Sequence, residues 1–198
     1  MPSPSFLQSL VWTDYRLAVV FTVLFPLTLL GWALIARAEV LQLMLVIYWK
    51  VSSLLVITLY LMIAGLPFSF LTACMARVLM PLSLWFWADL NEEIREQPMS
   101  SLKLAFTSWR WGITVYCGLG VLFQLLFLRC AFSRQVFASS SCQVWLEAPM
   151  LFRQIFHTGF TPGFLGFWAI LGLISYILTL SYFVFVKLGR QGRSALNQ

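Results

Sequence analysis

Charged residues are scarce in this chain: Asp, Glu, Lys and Arg together make up only 10% of its 198 residues, whereas 61% of the residues are apolar. A soluble globular domain carries about 25% charged residues, because polar side chains must cover its apolar core. The composition therefore excludes a nucleic-acid-binding domain and a small disulfide scaffold, and it disfavours the soluble enzyme folds. It predicts an integral membrane protein.

Sequence motifs of catalysis are missing as well. The chain contains no HExxH, GxSxG, P-loop or CxxC pattern, each of which places reactive groups at a fixed spacing. Its one histidine, His157, is a candidate cofactor ligand, but one histidine cannot supply both axial ligands of a diheme bundle, and hydrogen bonding to headgroups or loop backbone is the favoured interpretation. We therefore predict a non-catalytic protein with no metal site and no required cofactor, to which lipid, chlorophyll or carotenoid can bind.

Four uncharged runs are long enough to cross the hydrocarbon core of a bilayer, which takes about 20 helical residues. They occupy residues 17–36, 51–76, 111–128 and 163–186. An isolated apolar segment satisfies its backbone in lipid only as an α-helix. The predicted fold class is accordingly an all-α, polytopic membrane domain with four spans. None of the runs contains Asp, Glu, His, Lys or Arg in its interior, which disfavours acid–base chemistry and ion-coupled transport.

A tight turn at residues 65–67 would give five spans instead of four, by forming a helical hairpin over 40–64 and 68–88. That arrangement places Lys50 and Arg77 about halfway along their helices. Each such cation costs about 2.5–3.5 kcal/mol on insertion scales unless it has a buried partner. The four-span topology is therefore preferred, and five spans are kept as the alternative.

The distribution of cations predicts the orientation, because short cytoplasmic loops hold the excess of Lys and Arg. In the four-span topology the side with more cations holds Arg16, Arg77, Arg95, Lys103, Arg110, Lys187, Arg190 and Arg193. Both termini and the loop 77–110 are then cytoplasmic, and residues 129–162 form an outer loop. Within the cytoplasmic loop, the apolar stretch 78–88 is predicted to form an interfacial helix.

Two cysteines flank the predicted outer loop. Cys130 and Cys142 enclose 11 residues on the non-cytoplasmic side, where an oxidising compartment permits a disulfide. Such a bridge would brace the loop, and two unpaired small side chains are the alternative. Metal binding is disfavoured, because the loop contains no second cysteine pair.

Two surfaces are candidates for binding a partner protein. On the last span, small residues share a helix face of about 120°, and small residues let another helix approach closely. In the cytoplasmic loop, three acidic residues share one face of a short helix. The candidate partner-binding residues are Ala169, Gly172, Ser175 and Thr179 on the last span and Asp89, Glu93 and Glu96 in the loop. Lipid contact and a solvated helix face are the respective alternatives.

Three stretches carry a resemblance to a known group of sequences: YWKVSSLLVITLYLMIAGLPFSF, PLSLWFWADLNEEIREQP and VFVKLGRQGR. They make the chain similar to an uncharacterised family of small polytopic membrane proteins from cyanobacteria. The resemblance implies a location in the thylakoid membrane or the bacterial inner membrane, with a lumenal Cys130–Cys142 loop. It also implies a role as an assembly or accessory factor beside a photosynthetic complex, such as a photosystem or its assembly intermediate. It supplies no catalytic or binding residues.

The sequence thus predicts an integral membrane accessory or assembly factor that binds a larger membrane complex and membrane lipids, and no nucleic acid. A small-molecule transporter or channel is the alternative. Pro26, Pro67 and Pro81 favour that alternative, because prolines can break helices around a binding site at the midplane.

Overall fold

The fold is helical, which confirms the predicted all-α class. A computed structural model describes residues 4–188 and 192–195, and this part of the chain is 85% helical and contains no strand. Arg190, one of the cations counted above, lies outside the described residues. The helices long and apolar enough to cross a membrane are Ser5–Ile35, Glu39–Ile63 and Pro162–Lys187, and the bent pair Ser69–Trp85 and Ala88–Glu96 forms a fourth if it is one span.

The helices of the described part are numbered in chain order. They are α1 Pro4–Ala18, α2 Phe25–Ile35, α3 Glu39–Ile63, α4 Ser69–Trp85, α5 Ala88–Glu96, α6 Ser101–Leu125, α7 Arg129–Phe132, α8 Arg134–Phe137, α9 Ser140–Gln143, α10 Glu147–Phe156 and α11 Pro162–Tyr182. A π-helical stretch, Val19–Leu24, joins α1 to α2, and a second one, Phe183–Lys187, extends α11. Ser5–Ile35 is therefore one long element, which we call the N-terminal helix.

The predicted second span, 51–76, is wrong as a single helix. The chain turns after α3 and starts α4 at Ser69, so the hairpin first considered as the alternative is the observed arrangement. Gly65 adopts a left-handed φ of 67°, and Leu66 N–H donates to the Leu61 carbonyl at 3.1 Å. This is a helix-ending motif that favours glycine, and Pro67 follows it. Gly65 and Pro67 end α3 here although no charged residue marks the position, because this helix-ending motif depends on backbone conformation and not on charge.

The predicted cytoplasmic loop 77–110 also needs correction, because most of it is helical. Residue 77 lies inside α4, and the first part of α6 covers 101–110, so the connection is limited to α5 and the residues around it. The axes of α4 and α5 differ in direction by 55°. The predicted interfacial helix 78–88 is instead the second half of α4, and α5 is the short amphipathic helix, with Leu90 and Ile94 buried. The predicted outer loop 129–162 consists of the short helices α7 to α10 and their connections.

Side chains of two neighbouring helices donate hydrogen bonds to backbone carbonyls in the π-helical stretch of the N-terminal helix. Pro26 has no N–H for the carbonyl four residues before it, which is that of Thr22. The Tyr48 hydroxyl of α3 donates to this carbonyl at 2.9 Å, and the Trp109 indole of α6 donates to the carbonyl of Phe21 at 2.8 Å. These bonds fix the N-terminal helix against both α3 and α6.

The two ends of the described chain contact opposite ends of the bundle. Gln8 and Trp12 donate to the Glu147 carboxylate at 2.8 and 3.0 Å, so the start of the chain packs against the region between α6 and α11. Arg193 Nε donates to the carbonyl of Phe86 at 2.7 Å, beside α5. Successive long helices alternate in direction between these ends. Five long helices in alternating directions are the helix arrangement that the five-span alternative describes.

Candidate functional site: a buried ion pair and its chamber

A buried ion pair joins the N-terminal helix to α4. Arg77 Nη2 donates to Asp14 Oδ2, and the two side chains are only 9% and 14% exposed. An ionised side chain within the apolar part of a helix bundle is costly unless a charged partner lies beside it, and such a residue commonly marks a functional site. The prediction that the spans carry no internal charge is therefore wrong for Asp14 and Arg77, which lie inside the N-terminal helix and α4, and for Lys50, which lies in the middle of α3.

Tyr116 of α6 completes the cluster. Its hydroxyl lies 3.0 Å from Asp14 Oδ1 and 3.1 Å from the Asp14 carbonyl. The Arg77 guanidinium carbon lies 5.7 Å from the centre of the Tyr116 ring, within the range of a cation–π interaction. Three helices that are distant in sequence therefore meet at one polar group of side chains.

Gly120 provides the space for the Arg77 side chain. A Cβ atom at this position would overlap Arg77 Nη1 and would lie only 3.2 Å from Arg77 Cδ. The guanidinium thus packs directly on the backbone of α6, where any larger residue would displace it. A Cβ atom at Gly118, two residues earlier, would enter open space.

A chamber of about 180 Å³ lies beside the ion pair. Asp14, Arg77 and Gln124 supply polar side chains to its lining, and most of the remaining lining residues are apolar. Within residues 4–188 and 192–195, Arg77 Nη1 and Gln124 Oε1 are buried atoms without a hydrogen-bond partner. Gln124 is completely buried, so its free oxygen is not hydrated from the surface.

A family model described as a protein of unknown function, DUF3177, matches residues 8–196, which include the whole ion-pair cluster. The chain belongs to the DUF3177 family. The match agrees with the resemblance to an uncharacterised family. Comparisons with curated proteins and with solved structures give no match.

A second buried cation of this DUF3177 chain fixes the bend between α4 and α5. The Arg110 guanidinium, on α6, donates to Asn91 Oδ1 and lies 4.1 Å from the centre of the Trp85 ring. Asn91 Nδ2 in turn donates to the Trp87 and Leu84 carbonyls, at 2.6 and 3.2 Å. Arg110 therefore holds the turn at the α5 end of the bundle, and it does not contact the Asp14–Arg77 pair.

His157 lines a separate groove between α3 and the start of α11, with a volume of about 360 Å³. Its Nε2 lies 3.2 Å from the Tyr60 hydroxyl oxygen, and Phe160, Phe164 and Trp168 form much of the wall. The hydrogen bond occupies the ring nitrogen that most often binds an axial metal. The observed partner is a side chain of α3, whereas the interpretation from the sequence named headgroups or loop backbone.

The predicted small-residue face of α11 is divided between the chain's own core and its surface. Ala169 is buried, and the Cβ position at Gly172 lies 3.5 Å from Ile57 of α3, an ordinary packing distance. Ser175 and Thr179 are exposed. Only half of this face is therefore free for another helix.

The acidic residues of α5 also differ in their surroundings. Asp89 accepts hydrogen bonds from Ser194 Oγ at 2.9 Å and from the Ala195 N–H at 2.6 Å, so it binds the C-terminal segment of its own chain. Glu93 is half-buried and Glu96 is exposed. In the part of the chain that the structure describes, no group of three or more His, Cys, Asp or Glu side chains could hold a metal ion.

The connection between α6 and α11 contains a disulfide. Cys130 and Cys142 are bonded to each other, with their Cα atoms 6.0 Å apart, and both pack in a cluster with Trp145. Cys74 and Cys117 are free thiols.

We expect the denatured, unreduced protein to take up two fewer alkyl groups than the reduced protein, because only two of the four cysteines are free. Closing a loop of this length should stabilise the fold by about 3 kcal/mol in the chain-entropy model. Mass spectrometry after alkylation, with and without reductant, measures the difference. Uptake of four alkyl groups without reductant, in protein kept oxidised, would show that the bridge does not form.

Proposed function

We propose that this DUF3177 chain is a non-catalytic membrane accessory or assembly factor that binds a larger membrane complex through α11. The observation that carries the proposal is how little of α11 its own chain covers. In the most apolar window of Pro162–Lys187 only 6% of the residues are buried, against 39% in Glu39–Ile63. The last helix is thus held along one edge and presents most of its surface outward.

The contacts of α11 with its own chain are confined to one side. A Cβ atom at Gly166 would lie 2.5 Å from Ala64 Cβ, so the start of α11 lies very close to the end of α3. The Tyr176 hydroxyl donates to the Val51 carbonyl at 3.2 Å further along. The outward side carries small residues, including Ser175, beside bulky ones such as Leu178, which is 65% exposed. Such a mixed surface suits close packing of a second membrane helix.

The proposal includes a topology with five membrane spans. α6 is less apolar than the other long helices, but its Arg110 and Gln124 are buried against neighbouring helices rather than facing lipid. Among the described residues, more cations lie at the α5 end, namely Arg37, Arg95, Lys103, Arg110, Lys187 and Arg193, than at the disulfide end, namely Arg16, Arg129, Arg134 and Arg153. The α5 end is then cytoplasmic. The disulfide and the N terminus lie on the outer side, where oxidation is favoured.

The membrane in question is proposed from the resemblance to cyanobacterial proteins. It is the thylakoid membrane or the bacterial inner membrane, and the partner is a photosystem or its assembly intermediate. Lipids, chlorophyll or carotenoid are proposed as further ligands of the exposed aromatic surface.

Co-purification in mild detergent, followed by mass spectrometry, tests the proposal. The α11 variant replaces Ile177 and Leu178 with Ala, and the matched control replaces Leu119 and Leu122 of α6 with Ala. The replaced side chains are all at least half exposed, so neither variant alters the core. We expect the partner to be lost from the α11 variant and retained by the α6 variant. Recovery of every variant without a stoichiometric partner would contradict the proposal.

A transporter or channel is the second candidate, and the chamber beside Asp14 and Arg77 favours it. A chamber with charged side chains in its lining, within a helix bundle, is the kind of site in which transporters bind their substrates. Purified protein in liposomes should then catalyse solute flux that Arg77→Met abolishes. Flux no faster than in empty liposomes would dispose of this candidate.

A further inference from the structure

The lining of the chamber beside the ion pair combines exposed apolar residues with buried polar ones. The exposed apolar residues include Val19 and Val23 of the N-terminal helix and Val56 of α3, which are 52%, 40% and 54% exposed. The buried polar residues include Arg77 and Gln124. A molecule that enters between the N-terminal helix and α3 would pass these apolar side chains before it meets the buried polar atoms.

Among the described residues, three that line the chamber have a buried polar atom without a hydrogen-bond partner: Arg77 Nη1, Gln124 Oε1 and Trp145 Nε1. The first two have opposite hydrogen-bonding character. Arg77 Nη1 can only donate, because Nη2 is already bonded to Asp14 and a guanidinium has no acceptor. Gln124 Oε1 can only accept, and its orientation is fixed because Nε2 donates to the Phe70 carbonyl at 3.3 Å. Arg77 Nη1 lies over Gly120, one helical turn before Gln124, so both atoms belong to the same face of α6.

We infer that the chamber binds a hydroxyl group, whose oxygen accepts from Arg77 Nη1 and whose proton is donated to Gln124 Oε1. An anion would meet the Asp14 carboxylate and the Gln124 oxygen, and an ammonium ion would meet the Arg77 guanidinium, so a neutral group that both donates and accepts fits best. The inference rests on the buried atoms alone and is independent of the proposed function.

Two sources can supply this hydroxyl: water, or a small apolar alcohol that enters from the bilayer. The chamber of about 180 Å³ has room for a few waters, each taking about 30 Å³ in the liquid, or for one small alcohol. The apolar walls suit the hydrocarbon part of an alcohol. The experiment therefore has one arm for each source.

The first arm compares benzyl alcohol with toluene, which has the same ring and lacks the hydroxyl. We expect benzyl alcohol to raise the Tm of the purified protein by about 2–4 °C more than toluene does. In Gln124→Met, which keeps the side-chain length but removes the acceptor, the two compounds should act alike. Because each shift is measured within one variant, a lower starting stability of Gln124→Met does not affect the comparison.

The second arm detects water in the unmodified protein and does not depend on any variant. Met62 lines the chamber and is 4% exposed, whereas Met80 is 1% exposed and lies in the main core away from it. Hydroxyl radicals generated from bound water by a short X-ray pulse should oxidise Met62 and leave Met80 unmodified.

A selective effect of benzyl alcohol identifies an alcohol as the ligand, and oxidation of Met62 without that effect identifies water. Each result supports a hydroxyl site. The inference is overturned if benzyl alcohol is no better than toluene in the wild type and Met62 is as unreactive as Met80, because the chamber would then be dry and empty.

Discussion

Replacing Arg77 with Met should destabilise the protein by about 3–5 kcal/mol. The variant leaves the Asp14 carboxylate buried without its partner, and removal of one member of a buried pair exposes the desolvation penalty of the other. The measurement is the midpoint of unfolding in detergent, followed by tryptophan fluorescence. The large effect is expected because Asp14 is only 14% exposed, so water does not replace the guanidinium.

Two control variants make this prediction specific. Lys50→Met removes an exposed cation from the middle of α3, and because a lipid-facing cation at this depth is costly, the variant should be at least as stable as the wild type. The double variant Asp14→Leu with Arg77→Met removes both charges, and it should be more stable than Arg77→Met alone. A double variant that is no better than the single one would show that the two charges do not compensate each other.

Gly120→Ala should cost about 1–3 kcal/mol, because the new methyl group overlaps the Arg77 guanidinium and pushes it away from Asp14. Gly118→Ala is the matched control on the same helix, since its Cβ would enter open space. It should be neutral or stabilising, because Ala favours a helix by about 1 kcal/mol over Gly. Thermal unfolding of both variants under the same conditions gives the comparison.

A second experiment tests whether contact with Arg77 is the reason that Gly120→Ala destabilises the protein. In the background of Arg77→Met, the flexible Met side chain leaves the surface of Gly120, and Gly120→Ala should lose most of its cost. Such coupling is expected only for residues in contact. Equal penalties in both backgrounds would place the effect of Gly120→Ala elsewhere than on Arg77.

The helical fold class and the positions of the first and last long helices were predictable from the sequence. Charges or polar residues mark the ends of the runs at 17–36 and 163–186, and both runs lie in long helices. The turn at residues 64–68 was missed as the preferred arrangement, because apolar residues continue through it without a charge. Its glycine and proline were visible signals of a helix end, and they were outweighed by the insertion cost assigned to Arg77.

The ion pair could not be predicted from either residue alone. Asp14 and Arg77 are 63 positions apart, and each lies at the edge of an uncharged run, where a charge is usually a boundary marker. What identifies the pair is the hairpin: once α3 and α4 are separate helices, Arg77 lies inside one and requires an anionic partner. Asp14, the acidic residue beside the first apolar run, then becomes the candidate. Whether the side-chain oxygen of Gln124 finds a hydrogen-bond partner depends on the packing of the helices, and no sequence pattern predicts it.

The most direct test of the five-helix arrangement is the side of the membrane on which each end of the bundle lies. Single cysteines are introduced at Ser9 and at Met99, which is 77% exposed near α5, after Cys74 and Cys117 are replaced with Ala. We expect a membrane-impermeant maleimide to label Ser9→Cys in right-side-out vesicles and Met99→Cys only in inside-out vesicles. Labelling of both positions from the same side would contradict the account, because it requires an even number of spans between Ser9 and Met99, whereas the N-terminal helix, α3 and α4 make three.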